Sequence, residues 1–510
     1  MAKARQISSK AEEKVKTKNK KKQSQTEQTS FPSSANALEF PLYVAGKPNF
    51  SGQWVEVKHK YRGEVYAKVA LANDEILEQA IQSAVKAESE MAQLKPFQKQ
   101  KILLDCVAKF NAQREELTEI LIAEGGKPRT AAAAEVERLI NTFQIAADAV
   151  TQLDDGRLIP LAVTQAASAY TCMVKHVPIG AVSLISPFNF PLNLTAHKIA
   201  PAIAAGCPFV LKPASITPVS ALKIAEVLAQ TDLPKGAFSI LPCPREQADV
   251  LVTDDRFKLL SFTGSDVVGW DMKARAGRKK VTLELGGNAA VLIEPDTEIT
   301  DALVDRLIGG AYGHAGQVCI SVQRILAHAD IYTELKKKLL AKLKSLKAAD
   351  PDLKTTLVGP MIKEDEAIRL KKWVDKAVKN GAKVLVGGQV SGVLFEPTLL
   401  ENVDEQLEVY KDEVFGPVAI LEKYKSFEKG IQKINSSRFG LQAGVYTQNL
   451  NKMMYAWEHL QVGGVIINDI PSFRVDNMPY GGVKDSGLGR EGIQSAIRDM
   501  QEERLLAIKQ

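Results

Sequence analysis

Residues 181–215, AVSLISPFNFPLNLTAHKIAPAIAAGCPFVLKPAS, contain two short apolar runs, AVSLIS and FVLKP, separated by one helical pattern, LTAHKIAPAIAAG. Apolar runs of this length bounded by turn residues read as buried strands, and the longer stretch between them reads as a crossover helix. The unit then repeats: helix PVSALKIAEVLAQ, strand FSIL, a helix near 246–253, strand LLSF, and a helix from about 266. Such alternation predicts an α/β fold, a mainly parallel sheet with helices on both faces, whose ligands bind beyond the C-terminal ends of the strands. The residues to watch follow those strands. They are Pro187, Phe188 and Asn189, then Lys212, Pro213, Ala214 and Ser215, then Thr263, Gly264 and Ser265.

Working outward, short β-prone runs (LYVAGKP, WVEVKHKYRGEVYAKVAL) precede helical periodicity in 74–94 and in 96–127, where Gly125 and Gly126 have the place of a C-cap. YTCMVKHVPIG, 170–180, reads as a strand whose polar interruptions put it outside a central sheet. At 510 residues with 45% hydrophobic content, the chain can bury several cores without disulfides or metals. The net charge of +6 belongs to the first 30 residues, which hold nine Lys/Arg against three Glu; residues 31–510 carry 57 charges of each sign. Residues 1–37 therefore read as a solvated basic leader too poor in apolar residues to fold, and no nucleic-acid partner is expected for the folded part. With no apolar segment after it, the leader is not a secretory signal.

The longest apolar run, 199–211, is broken by Pro201, Gly206 and Pro208 and is too short to span a bilayer. Six scattered histidines lack ligand spacing, so no metal is expected. Five widely spaced cysteines point to a reducing, cytoplasmic setting rather than a disulfide framework. Cys106 and Cys207 sit in apolar helical patterns and read as core, and Cys172 and Cys243 are open. Cys319, in AYGHAGQVCISVQR, follows glycines and small residues, a setting that suits an accessible nucleophile.

Six segments in register, ISPFNFPLNLTAHKIAPAIAAGCPFVLKPAS, SFTGSDVVG, VTLELGGNAA, GQVCI, EVFGPV and MPYGGVKDSGLGREG, resemble the aldehyde dehydrogenase superfamily over residues 40–510. The resemblance implies a Rossmann-like cofactor domain (38–157 and 179–287), a catalytic α/β domain (288–500), and a small β oligomerisation element. That element comprises 158–178 and 501–510, with the C-terminal strand pairing across subunits of a homodimer or a tetramer. It implies that Cys319 attacks the aldehyde, that Asn189 with the Cys319 backbone N–H holds the oxyanion, and that Glu284 activates water against the thioester, swung by the glycines at 286 and 287. Ser186, Pro187, Lys212, Ser215, Gly264, Ser265, Gly269, Glu413 and Phe415 are implied to bind NAD(P).

NAD-preferring relatives commonly place a glutamate at the position of Ser215. Serine removes the repulsion of a 2'-phosphate and leaves Lys212 to attract it, which favours NADP. The branch looks similar to lactaldehyde and non-phosphorylating glyceraldehyde-phosphate dehydrogenases. Val318 stands where phosphate-binding relatives carry arginine, so a small unphosphorylated aldehyde is the expected substrate. His314 and Arg474 are expected to be a satisfied histidine and a surface arginine rather than substrate contacts. A coenzyme A-acylating or reductive enzyme of the same fold is opposed by Glu284. A non-catalytic scaffold acting through its basic tail is opposed by the intact Cys319, Glu284 and Asn189.

Overall fold

The computed structural model describes residues 37–152 and 156–510. The basic leader, apart from Ala37, lies outside the described residues. Five parallel strands form the centre of an eight-stranded sheet, in the spatial order Lys280–Glu284, Leu259–Thr263, Val182–Ile185, Phe209–Lys212, Phe238–Ile240. All four residues of Val182–Ile185 and of Phe209–Lys212 are buried, as a parallel sheet covered on both faces requires. The hairpin Leu42–Val44 and Lys47–Asn49 extends one edge and Gly487–Leu488 caps the other, each antiparallel to its neighbour. Chain order reverses at Val182–Ile185: later strands are added first on one side, then on the other. The crevice at such a switch, between the ends of Val182–Ile185 and Leu259–Thr263, is where an α/β sheet of this kind receives a ligand.

A second, seven-stranded sheet runs Lys383–Val386, Thr398–Glu401, Val418–Tyr424, Arg324–His328, Ala290–Ile293, Gln442–Tyr446, Gly464–Ile467, parallel except for its first strand. Its core joins Val291, Ile325, Ala419 and Leu421 to the helix Asp301–Tyr312. Only five residues separate Glu284, the end of a strand in the first sheet, from Ala290, the start of one in the second. The first sheet thus ends where the second begins, and the loops that enter the second sheet face the crevice of the first.

Before the first sheet, the helices follow the apolar spacing with one break and one addition. Asp74–Gln93 begins at Asn73, whose Oδ1 accepts from the Ile76 N–H at 2.9 Å. The pattern read as one helix over 96–127 is two, Pro96–Ala112 and Arg114–Gly125, broken at Gln113 (φ −107°, ψ 15°). Gly126 closes the second in the left-handed region at φ 63°, and a Cβ there would lie 2.6 Å from Pro360. Arg129–Gln152, a helix not anticipated above, buries Ala132, Val136, Leu139, Phe143 and Ala147 on one face, and Phe143 meets Phe110 edge-on at 5.1 Å.

Tyr170–Pro178 lies outside both large sheets, between Arg157–Ile159 and the C-terminal strand Gln501–Lys509. Pairing across subunits is the expectation for the C-terminal strand. In the structure it pairs over its whole length with Tyr170–Pro178 of its own chain, which leaves Gln501–Lys509 as the outer edge. No helix among the described residues is long and apolar enough to cross a membrane.

Candidate active site

A cleft of about 900 Å³ opens where the two sheets meet. Its walls include Asn189, Glu284 and Cys319 together with Ser186, Pro187, Ser215, Gly264, Ser265, Glu413 and Phe415, so most of the residues singled out from the sequence share one cavity. Two do not line it. Gly269 sits on the helix Asp266–Arg275, where a Cβ would come within 2.4 Å of Leu285; its lack of a side chain serves helix-to-sheet packing rather than a ligand. Lys212 lies one step behind the wall, its Nζ 3.4 Å from Ser215 Oγ and 3.2 Å from the Pro213 carbonyl. Burial lowers its pKa.

Of the five free cysteines, Cys106, Cys172, Cys207 and Cys243 are buried, while Cys319 opens on the cleft. The chain reaches it through three successive left-handed residues, His314 (φ 51°), Ala315 (φ 53°) and Gly316 (φ 65°). Left-handed backbone costs a residue with a Cβ roughly 1–2 kcal/mol, a strain tolerated where a site must be aimed. The same turn directs the Gln317 carbonyl at Asn189, whose amide donates to it at 3.0 Å. Gly287 is needed behind the nucleophile, because a Cβ there would lie 2.2 Å from the Cys319 carbonyl. Close approach, rather than a need to swing, explains this glycine. The same holds for Gly286, whose Cβ would be 2.7 Å from Glu413 Oε2.

The titrating groups are arranged unevenly. Glu284 is buried and neither carboxyl oxygen has a partner. Burial, reinforced by the nearby Glu491, pushes its pKa well above the ordinary carboxylate range. For Glu491 burial acts in the same direction, but Lys198 at 3.0 Å and Arg474 at 3.5 Å outweigh it and hold the carboxyl at about 2. The two neighbouring carboxyls are thus pushed in opposite directions, Glu284 up and Glu491 down, a separation common where acid and base roles are divided. Burial also pushes the Cys319 thiol up to about 12, against the lowering effect of a hydrogen bond with Tyr480. Burial brings Glu413 to about 7, although Gly287 donates its N–H to Oε1 at 2.9 Å. Phe415, two residues on, is an aromatic held at φ 46° with its ring edge-on to Phe188 at 5.7 Å.

On the cofactor side, the fit to a dinucleotide rests on the open wall between Ser215 and Ser265. Ser265 occupies the N-cap position of Asp266–Arg275 without spending its side chain on the helix, and Ser215 and Lys212 together offer a hydroxyl and a cation at a strand end. Among the described residues no cluster of His, Cys, Asp or Glu is placed to hold a metal.

One residue, Arg474, departs from the sequence reading, and His314 proves buried as well. Arg474 is not on the surface: its side chain is buried in the cleft wall, its Nε has no partner, and its guanidinium lies 3.7 Å over the Tyr480 ring. His314 is buried beside Phe190, and burial outweighs a hydrogen bond with the Asn189 backbone and lowers its pKa well below normal. Tyr480 and Gln317, also in the cleft, were within the motifs quoted above but carried no signal of their own.

The loop bearing Arg474 is anchored two residues on. Asp476 Oδ1 accepts from Arg138 at 2.6 Å, from Asn193 Nδ2 at 3.2 Å, and meets His197 Nε2 at 2.9 Å. Burial opposes ionisation, but His197 and Arg138 prevail and hold the carboxyl well below its usual range. Its contribution is therefore present above the unfolded carboxylate value and lost as pH falls through the depressed folded one. Asp476→Ala is expected to cost about 3–5 kcal/mol, because buried partners lose their acceptor. Denaturant unfolding at pH 7, pH 4 and pH 2 checks this: the loss should be large at neutral pH, persist at pH 4, and shrink toward pH 2 as the pH approaches the depressed folded value.

Comparisons with known proteins identify the family. The profile of the aldehyde dehydrogenase family matches residues 48–506. The chain is 38% identical over 471 residues to the 3-sulfolactaldehyde dehydrogenase of Priestia aryabhattai, covering 92% of this chain and 98% of that one. The crystal structure of aldehyde dehydrogenase 21 from Physcomitrella patens, in complex with its reaction product succinate, superposes with a TM-score of 0.91 at 45% identity, covering 93% of this chain and 99% of that one. The glyceraldehyde-3-phosphate dehydrogenase of Methanocaldococcus jannaschii, complexed with NADP, gives 0.86 at 36% identity, covering 90% and 100%. A family match over nine-tenths of the sequence, with the expected cysteine, asparagine and glutamate in one cleft, places the chain in the aldehyde dehydrogenase family, NAD(P)-dependent oxidoreductases that act on aldehydes.

Proposed function

We propose that the protein oxidises a short aldehyde with an anionic far end to the free carboxylic acid, with NADP preferred over NAD. The observation that carries the substrate reading is Arg474, a buried cation with an unpartnered N–H in the same cleft as Cys319. A buried guanidinium with a free donor favours a carboxylate or sulfonate over an apolar chain end. Two of the relatives above carry such a group in their substrate or product, a sulfonate in the 3-sulfolactaldehyde dehydrogenase and a carboxylate in the succinate bound to aldehyde dehydrogenase 21. The absence of arginine at Val318 argues against the phosphate ester.

In this reading Cys319 Sγ adds to the carbonyl carbon, and the new oxyanion is held by Asn189 Nδ2, released from the Gln317 carbonyl, and by the Cys319 N–H. A dinucleotide held beside Glu413 and Phe415 would supply the hydride acceptor, and Cys319 would then carry the acyl group as a thioester. Glu284, once ionised, takes a proton from water. The resulting hydroxide adds to the thioester, the C–S bond breaks, and the acid departs as the thiol is restored. Release as free acid is favoured over transfer to coenzyme A because Glu284 stands in the cleft. Glu413 and Phe415 would hold the nicotinamide ribose and ring, and Ser186, Pro187, Gly264 and Ser265 the pyrophosphate side. Ser215 and Lys212 support NADP, since no carboxylate occupies that position to repel a 2'-phosphate.

We assign dinucleotide binding to 38–157 and 179–287, chemistry to 288–500, and subunit contacts to 158–178 with 501–510, in a homodimer or a tetramer. Exposed Leu505, Leu506 and Ile508 on an edge strand support a covered edge. Five cysteines without a disulfide suit the reducing cytoplasm.

The test is nucleotide reduction at 340 nm with succinic semialdehyde and with butanal, each with NAD and with NADP. The carboxylate-bearing aldehyde should show a kcat/KM higher by on the order of 100-fold, and NADP should exceed NAD. Equal rates for the two aldehydes would sink the substrate reading.

A further inference from the structure

The hydroxyl of Tyr480 lies 3.0 Å from Cys319 Sγ, the only side-chain hydrogen bond the structure gives that sulfur among the described residues. Tyr480 is fixed by its surroundings. Its ring is buried, and its backbone exchanges two hydrogen bonds with Glu491, at 3.0 Å and 2.6 Å, in an isolated antiparallel bridge. The Arg474 guanidinium sits 3.7 Å from the ring centroid, and Arg474 in turn reaches Glu491 at 3.5 Å. A cation over the face of a phenol draws charge from the ring and makes its O–H a stronger donor.

The charged groups facing Cys319 are otherwise unfavourable to an anion. Glu284 and Glu413 both press toward the thiol form, and Arg474 alone opposes them. A buried thiolate in that company needs a donor, and the nearest one is this phenol. Tyr480 keeps its own proton, because burial and the neighbouring thiol raise its pKa well above normal.

We propose that Tyr480 is a catalytic residue that donates its O–H to the Cys319 sulfur, stabilising the thiolate and aiming its lone pair into the cleft, with Arg474 strengthening the donor through the ring. The proposal rests on the reading of Cys319 as nucleophile. When the S–H bond breaks, its proton passes to solvent and its electron pair stays on sulfur, and the phenol hydrogen then points to that pair. As sulfur becomes bonded to carbon its charge is lost and the hydrogen bond weakens, so the donor assists formation of the nucleophile rather than the later hydrolysis.

The test compares wild type with Tyr480→Phe, which removes one oxygen and leaves the ring under Arg474. Iodoacetamide alkylation of Cys319 is followed from pH 6 to 10 by mass spectrometry of its peptide, together with loss of turnover. The variant should alkylate about 10- to 100-fold more slowly near neutral pH, with its pH midpoint displaced upward, a matching fall in kcat/KM for the aldehyde and an unchanged KM for the dinucleotide. Should Tyr480→Phe fold poorly, replacement of Tyr480 by 3-fluorotyrosine, a stronger donor, should move the midpoint downward. Coincident alkylation curves for wild type and the substituted protein, with alkylation still blocking turnover, would overturn the role of Tyr480 alone. Alkylation of Cys319 that leaves turnover intact would overturn the nucleophile reading and this proposal with it.

Discussion

Cys319→Ala is expected to lower kcat by on the order of 10⁴-fold or more while dinucleotide binding persists, because loss of a nucleophile removes the covalent route entirely. The other four cysteines cannot substitute: all are buried, and none of them lines the cleft. The protein should remain folded, since Cys319 opens on the cleft and the alanine side chain fits within the volume the thiol vacates. Steady-state reduction at 340 nm and fluorescence titration with NADP separate the two effects. Retained turnover would assign the chemistry to another group.

Glu284→Gln should stop the cycle at a different point. Thioester formation does not need this carboxyl, so one equivalent of nucleotide per active site should be reduced in a burst. Hydrolysis should then slow by on the order of 10²- to 10⁴-fold, the usual loss for a general base. The pH dependence has a definite sign. Glu284 accepts a proton only when ionised, and burial together with Glu491 raises its pKa well above the ordinary range. Steady-state turnover of the wild type should therefore climb with pH through that raised value, and Glu284→Gln should lose this limb. Rapid-mixing absorbance across pH reads both effects. A variant with no burst, or one whose slow phase retains the rise, would place the base elsewhere.

The βαβ alternation around 181–290 was legible because parallel strands are buried on both faces and so appear as unbroken apolar runs between turn residues. The cysteine, asparagine and glutamate were legible because each stands in a motif at a strand end or loop. Other features left no comparable local trace. The break at Gln113 falls inside a continuous helical pattern, and only packing decides that the chain turns there. Arg129–Gln152 is rich in alanine, so its buried face has little contrast with its exposed one. Arg474 and Tyr480 lie on a loop without periodicity, and their burial depends on where Asp476 pins that loop. Gly269 misled for the opposite reason, because a glycine needed for helix packing and one needed for a phosphate look alike in a sequence.

The end-to-end meeting of the two sheets has a consequence for how such an enzyme can diversify. Groups proposed to grip the dinucleotide, such as Ser215 and Ser265, come largely from strand ends of the first sheet, whereas Arg474 and Tyr480 come from a loop after the second sheet's last strand. Substitutions at separated positions with no shared partners combine nearly additively. Substrate range and cofactor choice are therefore two dials that can be turned one at a time.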